Sequence, residues 1–94
     1  MATVQVLPFD PRIGYPQLRD VAINSQVYRL SYEWNPRGFA RLTITNRLSG
    51  DVVWNGKLTP RYCFDAKDRN GVTLFGIMAW VVTPNIAEVW VFYV

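Results

Sequence analysis

Two stretches, Val72-Thr-Leu-Phe-Gly-Ile-Met-Ala-Trp-Val-Val82 and Val89-Trp-Val-Phe-Tyr-Val94, have the β-branched and aromatic content of strands but scarcely alternate between apolar and polar residues. A half-exposed strand alternates because successive side chains point to opposite faces of a sheet. Strands that are apolar on both sides need material on both sides. A chain of 94 residues has little to spare for the second side, so the pattern predicts that another chain supplies it. This directs attention to assembly before chemistry.

Composition supports that direction. Half of the residues are hydrophobic and 15% are aromatic, four of them tryptophan, which excludes a disordered chain. Charged residues make up only 18%, below the quarter usual for globular domains. The net charge of +3 arises from eight arginines and two lysines against seven acids, scattered without a run. A nucleic-acid groove would concentrate its cations. Arginine outnumbering lysine suits interface ion pairs and stacking on aromatic rings.

The chain has one cysteine, Cys63, and no histidine. An internal disulfide is thereby excluded, and so are Cys-His and Ser-His catalytic pairs. Asp65 and Asp68 follow Cys63 closely in the sequence, a setting in which a cysteine is expected to be a poor nucleophile. The expectation is a protein that is not an enzyme and carries no cofactor. The loop Asp65-x-x-Asp68-x-Asn70-Gly71 has oxygen donors and a glycine but lacks the spacing and closing glutamate of a calcium loop, so it is read as a polar turn without metal. The start, Met-Ala-Thr-Val-Gln-Val-Leu-Pro, lacks a signal-peptide pattern, and no segment approaches the roughly 20 apolar residues of a membrane helix. Synthesis in the cytoplasm, without membrane association, is the expectation.

Residues 1–16 carry Pro8, Pro11, Pro16 and Gly14 and are expected as an extended N-terminal arm, with Phe9 and Tyr15 laid on the domain or on a neighbour. Residues 17–94 are expected as a single β domain. Leu18–Ile23 and Val27–Trp34 flank Asn24-Ser25-Gln26 as a hairpin. Tyr28, Leu30, Tyr32 and Trp34 share one face of the second strand, and Ala40, Leu42 and Ile44 share one face of the next. Val52–Leu58 forms a fourth strand with Gly56 as a bulge, and Asn70-Gly71 is a turn before the two apolar strands. No stretch keeps the helical i, i+3, i+4, i+7 spacing. The predicted fold is all-β, with about six antiparallel strands in a small sandwich or barrel.

The run Val27-Tyr-Arg-Leu-Ser-Tyr-Glu-Trp-Asn-Pro-Arg37, then Leu42-Thr-Ile-Thr45, Gly50, Gly56-Lys-Leu-Thr-Pro60 and the finish Val91-Phe-Tyr-Val94 resembles the small baseplate plug proteins of contractile-tailed bacteriophages of the cyanophage type. The likeness spans about residues 17–94 and rests on an order of strands and turns. It implies a structural virion protein at the centre of the tail baseplate, closing the tail-tube lumen near hub and spike before contraction. It also implies copies of itself, in a trimer, and the hub, spike and tube proteins as partners. The Pro-rich arm and the crowded aromatics depart from that pattern. Candidate interface residues are Phe9, Tyr15, Trp80, Trp90, Phe92, Tyr93 and Val94. An alternative reading is an OB-like single-stranded nucleic-acid-binding module with Tyr28, Tyr32 and Trp34 as a stacking platform beside Arg29.

Overall fold

The computed structural model describes residues 2–94 and contains eight strands: β1 (Thr3–Val6), β2 (Gln17–Ile23), β3 (Gln26–Asn35), β4 (Phe39–Asn46), β5 (Val52–Lys57), β6 (Cys63–Lys67), β7 (Thr73–Val82) and β8 (Ala87–Tyr93). They form two antiparallel sheets, sheet A in the order β1-β8-β7-β6 and sheet B in the order β2-β3-β4-β5. The expected six strands are thus eight, and the sandwich, not the barrel, is the architecture. The two additions are short strands, one in the Pro-rich segment and one after Pro60.

One addition lies in the Pro-rich segment. Thr3-Val-Gln-Val6 alternates and pairs with β8, so the expected arm begins as an edge strand of the domain. Leu7 continues it, donating its N–H to the Val89 carbonyl at 2.8 Å, with its side chain buried. The prolines follow, where no ladder donor is required. The other addition, β6, follows the Pro60 break and pairs with β7 from Cys63 to Lys67.

Local chemistry fixes the rest of the order. Asn24 and Ser25 both take left-handed backbone, with φ of 49° and 72°, the geometry of a two-residue hairpin turn whose twist matches its strands. Gly38, at φ 99°, closes the turn into β4 by donating to the Asn35 carbonyl. Tyr28, Leu30 and Tyr32 of β3 and Ala40, Leu42 and Ile44 of β4 point inward and are buried. They meet Phe75, Ile77 and Ala79 of β7 and Ala87, Val89 and Val91 of β8 in one core.

The strands run in the cyclic order of an up-and-down barrel, but two seams have no strand pairing. At the β1/β2 seam Gln5 takes over. Its side-chain amide donates to the Ala22 carbonyl at 2.8 Å, while its oxygen accepts from the Tyr93 hydroxyl at 3.2 Å. At the β5/β6 side Trp54 packs on Phe64, their rings 5.5 Å apart. Gly56 is not a bulge: the bulge of β5 lies at Val53, opposite the step from Ile44 to Thr45, and a Cβ at Gly56 would sit 3.0 Å from the Trp54 ring. Glycine there makes room for the indole.

Residues 8–16 cap one end of the sandwich. Phe9 stacks edge-on to Tyr32 at 5.0 Å and tilts against Tyr15, which in turn meets Trp34. Gln17, only 6% exposed, pins the segment by donating to the carbonyls of Asp10 and Gly14 and accepting from the Asp10 N–H. Every polar atom of its amide is used, which makes its burial tolerable.

Candidate assembly surface

Register decides which side chains share the solvent side of sheet A. In β8, Ala87, Val89 and Val91 face the core, so Glu88, Trp90 and Phe92 face out. Val4 and Val6 of β1 stand opposite Phe92 and Trp90, and Met78 of β7 stands opposite Trp90 on the other side. Cys63 of β6 follows Met78 in the same row. Within the chain the two C-terminal strands are therefore covered on one face alone, and their composition predicts that another chain covers the second. One face is core, and the other is an apolar surface that meets solvent.

A bulge enlarges this surface. Between Ala79, opposite Val89, and Val81, opposite Glu88, β7 has one residue more than β8. Trp80 and Val81 consequently both point outward, with 39% and 44% of their surfaces exposed. Trp80 lies against Trp90 with centroids 5.2 Å apart. Trp90 is oriented from its other end, where its indole N–H donates to Glu88 Oε2 at 3.0 Å. Val4 and Val6 are about half exposed and Val94 almost wholly so.

The solvent side of sheet B is different in kind. Asp20 accepts from Arg29 at 3.2 Å and from Arg47, and the two guanidiniums hold its carboxyl below the usual range, Arg29 through its hydrogen bond foremost. Asn55 Oδ1 receives both Arg41 and Thr43. Alternation is intact there, so this face behaves as an ordinary wet surface. Isolated apolar residues on a wet surface are unremarkable, whereas a contiguous patch several strands wide marks an interaction site.

The predicted interface residues divide in three. Trp80, Trp90 and Phe92 fall together on the outer face of sheet A, with Val94 just past the end of β8. Tyr93 points the other way, toward Gln5. Phe9 and Tyr15 belong to the end cap: the Tyr15 hydroxyl donates to the Ile86 carbonyl at 3.1 Å, and burial pushes its phenol up to about 12. Val4, Val6, Met78 and Val81 complete the patch without having been singled out. The alternation of Thr3–Val6 is the signal that could have placed the first two.

The surface offers dispersion and desolvation to a partner. Among the described residues no three His, Cys, Asp or Glu side chains gather as a metal site. Asp68 caps its own turn, its Oδ1 accepting from the N–H groups of Asn70 and Val72. Tyr28 and Tyr32, two of the three rings that could have formed a stacking platform, are buried in the core. Comparison of the chain with family models, curated proteins and solved structures gives no match.

Proposed function

We propose that this protein is a structural subunit of a contractile phage tail baseplate, a plug component seated near the hub and spike through the outer face of sheet A. The observation that carries the assembly reading is the contrast between the two solvent sides: that of sheet B is largely polar, with Leu18, Val27 and Val52 as scattered exposed apolar residues, whereas that of sheet A presents Val4, Val6, Met78, Trp80, Trp90 and Phe92 together. A small domain gains nothing from such a face while alone in water; it gains when a partner covers it. The order of strands and turns in the sequence, which resembles that of the plug family, supports a partner in the tail.

A plug needs contacts that hold through area and release under force. A broad apolar sheet face without a covalent link meets that requirement, and the paired tryptophans are the side chains most suited to anchor it. The proposed partners are the hub, spike and tube proteins and further copies of the chain, in the virion.

The test is incorporation. In tails assembled in its own host, the chain should co-purify with the baseplate at fixed stoichiometry, and Trp90→Glu should remove it while the soluble variant remains folded. Complete tails that lack the wild-type chain would overturn the tail reading. Unchanged incorporation of Trp90→Glu would overturn the role of this face.

A further inference from the structure

Tyr28 and Tyr32 share the inward face of β3, and both are buried, with 2% and 0% of their surfaces exposed. The Tyr32 hydroxyl reaches the capping segment and donates to the Pro8 carbonyl at 3.1 Å. The Tyr28 hydroxyl has no partner among the described residues. No buried side-chain polar atom there is sealed off without one, so the little surface that Tyr28 exposes lies at its hydroxyl. Its ring is fixed edge-on against Phe75, centroids 5.4 Å apart. A phenylalanine would fill that place without bringing a polar group that the fold leaves unused.

The hydroxyl opens on a cavity of about 340 Å³ at the end of the sandwich opposite residues 8–16. Strand ends of both sheets surround it: Gln26 and Tyr28 at the start of β3, Asn46 at the end of β4, Asp51 before β5, Asp68 after β6 and Leu74 in β7. Asn46 Oδ1 accepts from the N–H groups of Leu48 and Ser49, which orients the amide and leaves its NH2 as a donor. Asp68 Oδ1 is likewise used by its own turn, leaving Oδ2 as an acceptor. Both oxygens of Asp51 accept from Arg69, at 2.8 to 3.2 Å. The exposed Gln26 amide offers a donor and an acceptor at the rim. Leu74, the extra residue where β7 bulges against β6, adds an apolar wall.

These groups select a class of ligand. An anion would meet Asp51 and Asp68, and an ammonium or guanidinium could use neither the Asn46 NH2 nor the N–H groups of Gln26. A hydroxyl group donates and accepts at one atom. A ring carrying several therefore uses the donors and the acceptors together and can lay its C–H face on Leu74. The cavity is at the lower end of the size range of small-molecule sites, which suits one such ring.

We propose that this cavity binds a neutral polyhydroxylated ligand, a single sugar ring, with the Tyr28 hydroxyl, the Gln26 and Asn46 amides and Asp68 Oδ2 as its polar contacts. The site uses none of the residues of the apolar patch on sheet A and does not depend on the tail reading.

Titration of the full chain with D-glucose, D-galactose, D-mannose and N-acetyl-D-glucosamine, each to about 50 mM and followed by amide chemical shifts, tests it. At least one should saturate, with shifts concentrated at Gln26–Tyr28, Asn46–Asp51 and Asp68–Leu74. Tyr28→Phe should weaken that binding at least about threefold, while its melting temperature stays at or above that of the wild type, because the hydroxyl has no partner in the fold. Gln26→Ala, at the exposed rim, should weaken binding as well. Tyr32→Phe should do the reverse, lowering the melting temperature and leaving binding unchanged. Failure of all four sugars to saturate, or saturation that Tyr28→Phe or Gln26→Ala leaves unchanged, would overturn the proposal. The same shifts produced by methylammonium in place of the sugars would assign the cavity to a cation and overturn it as well.

Discussion

Phe92 and Tyr93 are consecutive in β8 but belong to different environments: Phe92 stands beside Val4 on the outer face of sheet A, and Tyr93 hydrogen-bonds to Gln5 at the seam between the sheets. The pleat separates what composition makes look alike. The same substitution at the two positions should therefore have unlike costs. Phe92→Glu should change the unfolding free energy by about 1 kcal/mol or less, while reducing the fluorescence of a dye that reports apolar surface. Tyr93→Glu should cost about 2–4 kcal/mol, since it removes the hydroxyl that Gln5 accepts from and forces a carboxylate toward that seam. Urea denaturation of the two variants checks the difference; equal costs would contradict this account of the face.

Gly56 and Trp54 form a second dependent pair. A methyl group at position 56 would meet the indole at 3.0 Å, and Phe64 limits how far the ring can retreat. Gly56→Ala should cost about 1–3 kcal/mol. In a Trp54→Leu background the same change should cost much less, so a double-mutant cycle should show coupling of about 1 kcal/mol. Additive effects would mean that the indole moves aside freely.

Gln17 joins the capping segment to sheet B through both ends of its amide. Gln17→Glu keeps the size of the side chain but replaces two donors with an acceptor facing the carbonyls of Asp10 and Gly14. Destabilisation of about 1–3 kcal/mol should follow at neutral pH, with faster hydrogen exchange over residues 8–16 than over β7. Uniform exchange across both regions would show that the cap is not a separate cooperative unit.

Stability should fall at both extremes of pH. Asp10, Asp20 and Asp51 are held below the usual carboxyl range, chiefly by hydrogen bonds from Arg12, Arg29 and Arg69. Groups lowered on folding contribute above their unfolded value of about 4, and that contribution is lost as pH falls through the folded value. Tyr15 is shifted the other way, to about 12, by burial. Its contribution is complete below the unfolded value of about 10 and is lost as pH rises from there toward 12. Melting temperature against pH should decline below about pH 4 and above about pH 10, and Asp51→Asn should flatten the acid limb.

Sheet B was legible in the sequence because its signals are local. Tyr28-Arg-Leu-Ser-Tyr32 alternates, its turn is two residues long, and its partner follows immediately. Sheet A was less so. β1 finds its partner in β8, at the far end of the described chain, and nothing near Thr3–Val6 announces that pairing. The run Trp80-Val-Val82 reads as burial on both faces because a bulge turns two neighbours to the same side, and a one-residue slip of this kind cannot be seen in composition. Of the candidate surface, Trp80, Trp90 and Phe92 could be picked out by residue type alone. Tyr93 could not be separated from them without the register, and Phe9 and Tyr15 could not be assigned to an end cap before Tyr32 and Trp34 were in place beside them.

The pairing of Thr3 with Tyr93 also sets an order of events. β2 to β5 can zip together from neighbour to neighbour, and so can β6 to β8, but β1 must wait for β8 to exist before it has any strand to join. Closing that longest loop comes late and is entropically expensive. Until then the first strand is an unattached thread, and Gln5 cannot yet stitch the two sheets. The step that completes the sandwich is therefore the one on which mistakes in folding, including exchange of β1 between two chains, would concentrate.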